Sequence, residues 1–298
     1  MSLRKSPAAA GLLFLGLLLA GGALAQGDAK RGEYLAKAGG CIGCHTQETK
    51  DPKDAVPFAG GRALKTPFGT FYGPNITPHP TAGIGKWTEA GFMRAVREGR
   101  RPDGSNYFPA FPYASFTHIT DSDLRDLWAY LRTLPPSGRA SQEHELGFLY
   151  RWRIGVSFWK WLYFEPGPIP ADPKQSAQVN RGAYLVTALG HCGECHTPRT
   201  ALGGMKQSRF LAGTAKGPEG KAVANITPTR LKKWSDAEIR DFLQTGMTSD
   251  GDVTSETMGE VVRNTTSQLT PEDLAALIAY LRTVPAVEDE KKPDEKKR

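Results

Sequence analysis

The chain has 298 residues, 39% of them hydrophobic and 23% charged, and its formal net charge is +7. This composition is that of a globular protein and excludes a largely disordered chain, while the length allows two ordinary domains. The basic excess is mild and is not clustered beside a nucleic-acid-reading motif, so nucleic acid is excluded as a predicted partner.

The first 25 residues have the layout of an export signal. Arg4 and Lys5 form a basic head, residues 11–20 form an apolar core, and Ala23-Leu24-Ala25 has the small-x-small spacing of a cleavage site. We therefore predict a signal peptide over residues 1–25, cleavage after Ala25 and a periplasmic protein. The alternative is an uncleaved segment that anchors the chain at the inner membrane.

The remainder of the chain is a tandem duplication with a period of about 150 residues. Such a duplication predicts two domains of the same fold, at 26–138 and 176–287, with an aromatic-rich linker or strap at 139–175 and a charged, disordered tail at 288–298. Five landmarks recur in the same order: R-G-x-Y-L at Arg31–Leu35 and Arg181–Leu185, C-x-x-C-H-T at Cys41–Thr46 and Cys192–Thr197, N-I-T-P at Asn75–Pro78 and Asn225–Pro228, K-W at Lys86–Trp87 and Lys233–Trp234, and A-Y-L-R-T at Ala129–Thr133 and Ala279–Thr283.

Each domain is predicted to be mainly α-helical. A short amphipathic helix leads into the C-x-x-C-H motif. A second helix begins at Thr88 or Ser235, and a third begins after Thr120 or Thr270, where leucines recur at helical spacing. Ser235 and Glu238 have the spacing of a capping box. Many of the 33 Gly and 22 Pro lie between these helices, so long loops are expected to wrap around a bound group.

The segment between the domains is rich in aromatic residues. One hypothesis is a strap packed between the two domains; the other is docking to a partner or a membrane surface, which aromatic and basic residues suit. Arg151, Arg153 and Lys160, together with the shortness of the segment, argue against a transmembrane helix. The aromatic residues are Phe148, Trp152, Phe158, Trp159, Trp161, Tyr163 and Phe164.

All four cysteines belong to two C-x-x-C-H motifs, the attachment signature of c-type haem. Two cysteines three apart on a helical turn can bond both vinyl groups, and the adjacent histidine can bind the iron. A thioredoxin-like pair lacks its βαβ context here, and a zinc site lacks further cysteines. The sequence thus predicts two covalently bound haems in two tandem class I cytochrome c domains, mainly α with long haem-wrapping loops. The attachment residues are Cys41, Cys44, Cys192 and Cys195, and the proximal iron ligands are His45 and His196.

A methionine downstream of the motif supplies the sixth iron ligand in many class I domains and raises the potential. An ungapped alignment from Trp87 and Trp234 keeps an offset of 147 residues and places Phe111 opposite Met258. Met258 is therefore the predicted sixth ligand of haem 2, with Met247 as the alternative.

Haem 1 has Phe111 at that position, and phenylalanine cannot bind iron. Haem 1 therefore either lacks a sixth protein ligand or takes one from elsewhere, and the candidates are His79, His118 and Met93. Arg199, three residues after His196, is interpreted either as a partner of a haem propionate or as a surface residue.

These residues resemble the cytochrome c subunits of bacterial membrane-bound alcohol and gluconate dehydrogenases. The motifs that carry the likeness are G-H-C-x-x-C-H-T-P-R at Gly190–Arg199, G-I-G-K-W-T at Gly83–Thr88 and the stretch Arg97–Tyr113, and it runs from Gly32 to Pro285. The resemblance implies relay of electrons from a dehydrogenase towards quinone or a terminal oxidase. Those subunits usually have three haem units and P-A-M-P-Y, where this chain has two units and P-A-F-P-Y at Pro109–Tyr113.

The leading hypothesis is a periplasmic electron carrier without chemistry of its own. Its expected partners are a dehydrogenase subunit, another cytochrome, or a quinone-linked or terminal oxidase, with peripheral membrane association as a further expectation. The alternative is a dihaem enzyme, peroxidase-like or thiosulfate-oxidising, that uses an open haem 1. The sequence favours the carrier because no acid–base constellation can be placed over haem 1. A redox or gas sensor would need an output module, which the sequence does not contain.

Overall fold

The computed structural model describes residues 27–217, 220–248, 250–254 and 256–290. The predicted signal at 1–25 and residues 291–298 of the predicted tail lie outside these ranges. We call 27–138 unit 1, 139–175 the connection and 176–287 unit 2. Within the described ranges, no helix is both long and apolar enough to cross a membrane.

Helices are the main regular elements of both units, as predicted, and the connection contributes one more. Unit 2 also has a π-helical turn at Leu185–Leu189, directly after the helix at Ala177–Tyr184. The helices are α1 (Ala29–Ala38), α2 (Cys41–His45), α3 (Glu89–Glu98), α4 (Tyr113–Phe116) and α5 (Asp121–Leu131) in unit 1, α6 (Ile154–Tyr163) in the connection, and α7 (Ala177–Tyr184), α8 (Gly193–His196), α9 (Pro228–Leu231), α10 (Asp236–Thr245), α11 (Glu256–Asn264) and α12 (Pro271–Thr283) in unit 2.

The predicted helix starts are confirmed by their caps. Thr88, Thr120, Ser235 and Thr270 each accept, through the side-chain oxygen, a hydrogen bond from the backbone N–H three residues on. Ser235 and Glu238 form the complete capping box. These contacts satisfy N–H groups that have no partner within the helix, which fixes where α3, α5, α10 and α12 begin.

The first and last helices of each unit cross at a glycine. A Cβ at Gly32 of α1 would lie 1.9 Å from the Asp126 carbonyl oxygen of α5. A Cβ at Gly182 of α7 would likewise lie 1.9 Å from the Ala276 carbonyl oxygen of α12. The glycine of R-G-x-Y-L therefore recurs because no side chain fits between these helices.

Replacing Gly182 with alanine is expected to destabilise the protein by about 3 kcal/mol, because the obstacle to the new methyl group is backbone rather than a movable side chain. The matched control is Gly155→Ala in α6, where an added Cβ meets nothing within 4 Å. The measurement is urea unfolding of the haem-loaded protein followed by circular dichroism. Equal stability of the two variants would contradict this account of the crossing.

Each unit donates a tyrosine hydroxyl to an aspartate of the other unit. The Tyr34 hydroxyl of unit 1 donates to Oδ2 of Asp273 at 2.5 Å, and the Tyr184 hydroxyl of unit 2 donates to Oδ2 of Asp123 at 2.6 Å. The two tyrosines are 150 residues apart in the sequence, and so are the two aspartates. The contact is therefore made twice across an approximate two-fold axis that relates the units.

Arginines of the R-G-x-Y-L motifs hold the same carboxylates. Arg31 pairs with Asp123 and Asp126, and Arg181 donates to Asp273 at 2.6 and 2.8 Å. Burial opposes ionisation of Asp273, but the bonds from Arg181 and Tyr34 lower its pKa. Each aspartate thus joins the helices of its own unit and also the two units to each other.

One hydrophobic core runs through both units. Its buried members include Leu35 and Leu124 of unit 1 and Val186 and Leu274 of unit 2. The units are therefore two repeats that share an interior.

A small antiparallel sheet, which the sequence did not predict, joins unit 1 to the connection. Its strands are β1 (Ala63–Thr66), β2 (Gly69–Tyr72) and β3 (Glu145–Leu146), in the order β1-β2-β3. Gly69 has φ of 127° and pairs with Leu146, and a Cβ there would lie 2.3 Å from the Glu145 carbonyl oxygen. Four-residue strands with little alternation leave no sequence signal of their own.

Helix α6 of the connection contacts both units on its inner face. Ser157 accepts a hydrogen bond from Asn106 of unit 1 at 2.9 Å, and Trp159 donates to the Leu202 carbonyl oxygen of unit 2 at 3.1 Å. Val156 is buried in a second apolar cluster with the side chains of β2 and β3. This is the placement that the strap hypothesis expects, while the outer face of α6 is open to solvent.

Candidate haem sites

Each C-x-x-C-H motif lies on one short helix after a left-handed turn. Residue 40 is glycine with φ of 61°, and the matching residue 191 is histidine with φ of 36°. The His191 ring packs against Phe116 of unit 1, with ring centroids 5.3 Å apart.

Both predicted proximal histidines are oriented by a backbone carbonyl. His45 Nδ1 lies 2.8 Å from the Pro74 carbonyl oxygen, and His196 Nδ1 lies 2.7 Å from that of Ala224. A carbonyl only accepts, so Nδ1 carries the proton and Nε2 keeps its lone pair for iron. Burial lowers the pKa of both histidines, which also favours the neutral, ligating form.

The N-I-T-P loops hold those carbonyls in place. The Asn75 carboxamide oxygen accepts from the backbone and hydroxyl of Thr77, and Asn225 does the same with Thr227. Their side-chain nitrogens donate to the segment that follows the last helix of the same unit, at Ser137 and Arg139 or at Val287 and Asp289. Sequence reasoning did not find this role, although recurrence of the motif signalled one.

None of the four cysteines forms a disulfide bond, and burial raises the pKa of each thiol. Burial raises the pKa of Cys41 and of Cys192 to about 12 in each case. A dithiol oxidoreductase needs a lowered thiol pKa, which is the opposite shift. Among the described residues, no three or more His, Cys, Asp or Glu side chains are grouped to hold a metal ion. Paired neutral thiols beside a histidine with a free Nε2 fit thioether-linked haem.

The two motifs meet at the unit boundary. A Cβ at Gly39, which follows α1, would lie 3.8 Å from the Leu189 carbonyl oxygen at the end of the π-helical turn of unit 2. Burial raises the pKa of Cys44 to about 11, and Glu260 and Cys195 of unit 2 are near enough to add to that rise. The attachment edges of the two sites are therefore neighbours.

The cytochrome c family model matches residues 29–135 and 179–285. The chain belongs to the cytochrome c family. Each matched region contains one C-x-x-C-H motif, so this cytochrome carries two covalently bound haem c groups. The prediction of two tandem, mainly helical cytochrome c domains is confirmed.

Curated relatives extend the likeness over most of the cytochrome. A diheme cytochrome c-type protein of Cereibacter sphaeroides is 46% identical over 263 residues, which cover 88% of this chain and 88% of the relative. The fructose dehydrogenase cytochrome subunit of Gluconobacter japonicus is 38% identical over 86% of this chain. The cytochrome c subunit of alcohol dehydrogenase (quinone) from Gluconacetobacter polyoxogenes is 39% identical over 91% of it. This chain spans 52% and 60% of the length of those two subunits.

When the cytochrome is produced in a host that matures haem c, we expect two haems per chain that denaturant and acidified organic solvent do not extract. The reason is the pair of thioether-forming motifs. The measurement is a pyridine haemochrome assay set against amino-acid analysis. One haem per chain, or extractable haem, would contradict the expectation.

On the distal side of haem 2, the structure supports the alignment that selected Met258. The hairpins that follow α3 in unit 1 and α10 in unit 2 keep the 147-residue offset. Arg100 pairs with Asn106 in the first hairpin, and Met247 pairs with Val253 in the second. Met258, five residues beyond that hairpin on α11, packs half-buried against the shared core. Met247 is instead 52% exposed. Met258 is therefore better placed than Met247 to reach a buried haem.

On the distal side of haem 1, Phe111 sits among other rings. Its centroid lies 5.6 Å from Tyr107, 5.8 Å from Phe116 and 6.4 Å from Tyr113. Burial raises the pKa of Tyr107 and Tyr113, so both hydroxyls stay neutral. The side chains around Phe111 are aromatic, and none of these three neighbours carries a charged acid–base group.

The three candidate ligands for haem 1 are placed differently. His79 Nδ1 accepts from the Ala82 N–H at 3.1 Å, so Nε2 carries the proton and has no lone pair for iron. His118 Nδ1 lies 2.6 Å from the Gly167 carbonyl oxygen, and the ring lines a cavity with Glu194, beside the motif of unit 2. Met93 on α3 is half-buried against the shared core. His118, whose Nδ1 faces a carbonyl oxygen as in His45 and His196, and Met93 remain candidates.

A partly buried carboxylate lies at each motif, at the unit boundary, which sequence reasoning missed. Glu194, inside the second motif, accepts from Ser115 of unit 1 at 2.7 Å and pairs with Arg199. Glu260 of unit 2 pairs with Arg62 of unit 1 at 2.8 Å and lies over Gly43 of the first motif. The partner of Arg199 in the structure is thus Glu194. Neither ion pair could be predicted from the sequence. Arg62 and Glu260 belong to different units, and Glu194 occupies a variable position of the C-x-x-C-H motif.

Proposed function

We propose that this cytochrome relays electrons in the periplasm from a dehydrogenase towards the respiratory chain. The observation that carries the proposal is the meeting of the two attachment motifs within one shared core. Electron tunnelling weakens steeply with distance, so neighbouring attachment edges allow transfer between the haems without movement of the units. Two relatives that are cytochrome subunits of dehydrogenases support the choice of partner, and the predicted signal supports the compartment.

Haem c, when bound, supplies one-electron redox chemistry. The chain's own residues tether and orient it: Cys41 and Cys44 in unit 1, and Cys192 and Cys195 in unit 2. His45 and His196 are the proposed proximal ligands, each offering Nε2. These assignments follow from the motif spacing and from the carbonyl bonds at both Nδ1 atoms.

We propose Met258 as the sixth ligand of haem 2 and no methionine at the equivalent position of haem 1. Thioether ligation raises a haem potential relative to nitrogen ligation. If haem 1 has no thioether ligand, haem 2 would be the higher-potential centre, and electrons would pass from haem 1 to haem 2. The dehydrogenase is expected to deliver them on the side of unit 1.

The enzyme alternative needs a group over haem 1 that moves protons. The rings around Phe111 offer only neutral phenols with raised pKa values. The carrier is therefore the function that the site supports best.

The test is reduction of the oxidised cytochrome by alcohol-, fructose- and gluconate-reduced membrane dehydrogenases, followed in the haem absorbance. We expect one of them to reduce both haems on the timescale of its own turnover. The parallel reaction contains hydrogen peroxide, the fully reduced protein and an excess of ascorbate as the electron donor. Rapid catalytic consumption of peroxide, with no reduction by any dehydrogenase, would reject the relay in favour of the enzyme.

A further inference from the structure

The turn before α6 and α6 itself expose an unusual amount of apolar surface. Within the described ranges, seven of the thirteen exposed large hydrophobic side chains fall between residues 148 and 162, so they form one patch rather than a scatter. Ile154 and Trp161 are 78% and 77% exposed. We call this patch the apolar face: Phe148, Tyr150, Trp152, Ile154, Phe158, Trp161 and Leu162.

The apolar face is presented by a helix that is fixed from behind. Ile154, Phe158 and Trp161 follow the spacing of one side of a helix, and the rings of Phe158 and Trp161 lie 5.8 Å apart. On the opposite side, Trp159 bonds to unit 2 and Val156 is buried against unit 1. The fold therefore holds the apolar face in place without covering it.

One exposed cation lies at the edge of the apolar face. The other two basic side chains of this segment are held against unit 1: Arg153 donates to the Asn106 carbonyl oxygen at 2.7 Å, and Lys160 donates to Oδ1 of the same residue at 3.1 Å. Arg151 is exposed, and its Nε donates to the Leu146 carbonyl oxygen at 3.1 Å, at the edge of the patch. A fitting occupant is thus apolar in its interior and anionic at its boundary.

A bilayer with anionic headgroups has these two properties together. Tryptophan and tyrosine favour the boundary between headgroups and acyl chains, and basic side chains are attracted to anionic lipid.

We propose that the apolar face is a peripheral membrane-docking surface, which inserts into the boundary layer of an anionic bilayer while Arg151 contacts the headgroups. This inference is independent of the electron relay. It also sets an orientation: Trp159 and Leu162 line one cavity with Glu194 of the second motif, so docking turns the unit 2 haem site towards the membrane.

The test is flotation of the haem-loaded protein, produced behind a cleavable signal so that residues 1–25 are absent. The vesicles contain phosphatidylglycerol and phosphatidylcholine in equal parts, or phosphatidylcholine alone. The haem absorbance of the floated fraction reports binding. We expect binding to the anionic vesicles that weakens with salt, and a loss of at least tenfold in the partition coefficient for Phe158→Ser/Trp161→Ser.

The matched control is Leu202→Ser/Val253→Ser, which removes two exposed apolar side chains outside the patch. It is expected to bind as the unaltered protein does. Unchanged haem spectra show that both variants are folded. Absence of flotation, equal loss in both variants, or a dimer in sedimentation that only Phe158→Ser/Trp161→Ser abolishes would overturn the proposal, the last by assigning the face to a second copy.

Discussion

Replacing Met258 with alanine is expected to abolish the sulfur-to-iron charge-transfer band of the oxidised protein. It should also lower the potential of one haem and leave the other unchanged. The reason is loss of the thioether that stabilises ferrous iron, and the drop should be a sizeable part of the ~0.8 V range that axial ligation covers. The measurements are the near-infrared end of the absorption spectrum and a spectroelectrochemical titration that resolves both haems.

Met247→Ala is the matched control for that variant. Met247 is 52% exposed in the hairpin that precedes α11, so its removal should leave the band and both potentials intact. An unchanged band in the Met258 variant, together with loss of the band in the Met247 variant, would transfer the ligand to Met247.

Phe111→Met is expected to create a second histidine–methionine haem. The hairpins of the two units match as far as Asn106 and Val253, five residues before Phe111 and Met258, so the sequence alignment places the new thioether at the position of Met258. The potential of haem 1 should rise towards that of haem 2, and the charge-transfer band should roughly double. Phenylalanine and methionine have similar volumes, so the change should cost about 1 kcal/mol of stability.

Binding of carbon monoxide distinguishes an open haem 1 iron from one that already has a sixth protein ligand. If the unaltered protein has an open iron, the reduced form binds CO and Phe111→Met blocks that binding. Phe108→Met is the matched control, because Phe108 lies in the second apolar cluster, away from the shared core. A silent Phe111 variant combined with no CO binding by the unaltered protein would refute an open haem 1 and direct attention to His118 and Met93.

The features that could be predicted from the sequence are those determined by residues close together in the chain. The C-x-x-C-H motifs specify the cofactor, and the caps at Thr88, Ser235 and their counterparts specify helix starts, because these signals span three or four residues. The duplication was visible because landmarks recur in order.

What the sequence could not predict depends on residues brought together from far apart. The bonds from Tyr34 to Asp273 and from Arg62 to Glu260 join positions in different units. The role of N-I-T-P in fixing the histidine carbonyl appears only when the loop is seen beside the proximal ring. The contribution of β3 to the sheet is likewise made by a two-residue strand with no pattern of its own.

The reciprocal tyrosine–aspartate hydrogen bonds between the units also bear on how the chain arose. Each unit offers the same tyrosine to the same aspartate of the other, which is the self-complementary contact of a two-fold homodimer. We infer that a single-haem ancestor paired with its own copy through this contact before duplication fused the two. Fusion let the copies diverge, because a change in one no longer appeared in both. Phe111 in one unit and Glu194 in the other are differences that a homodimer cannot hold.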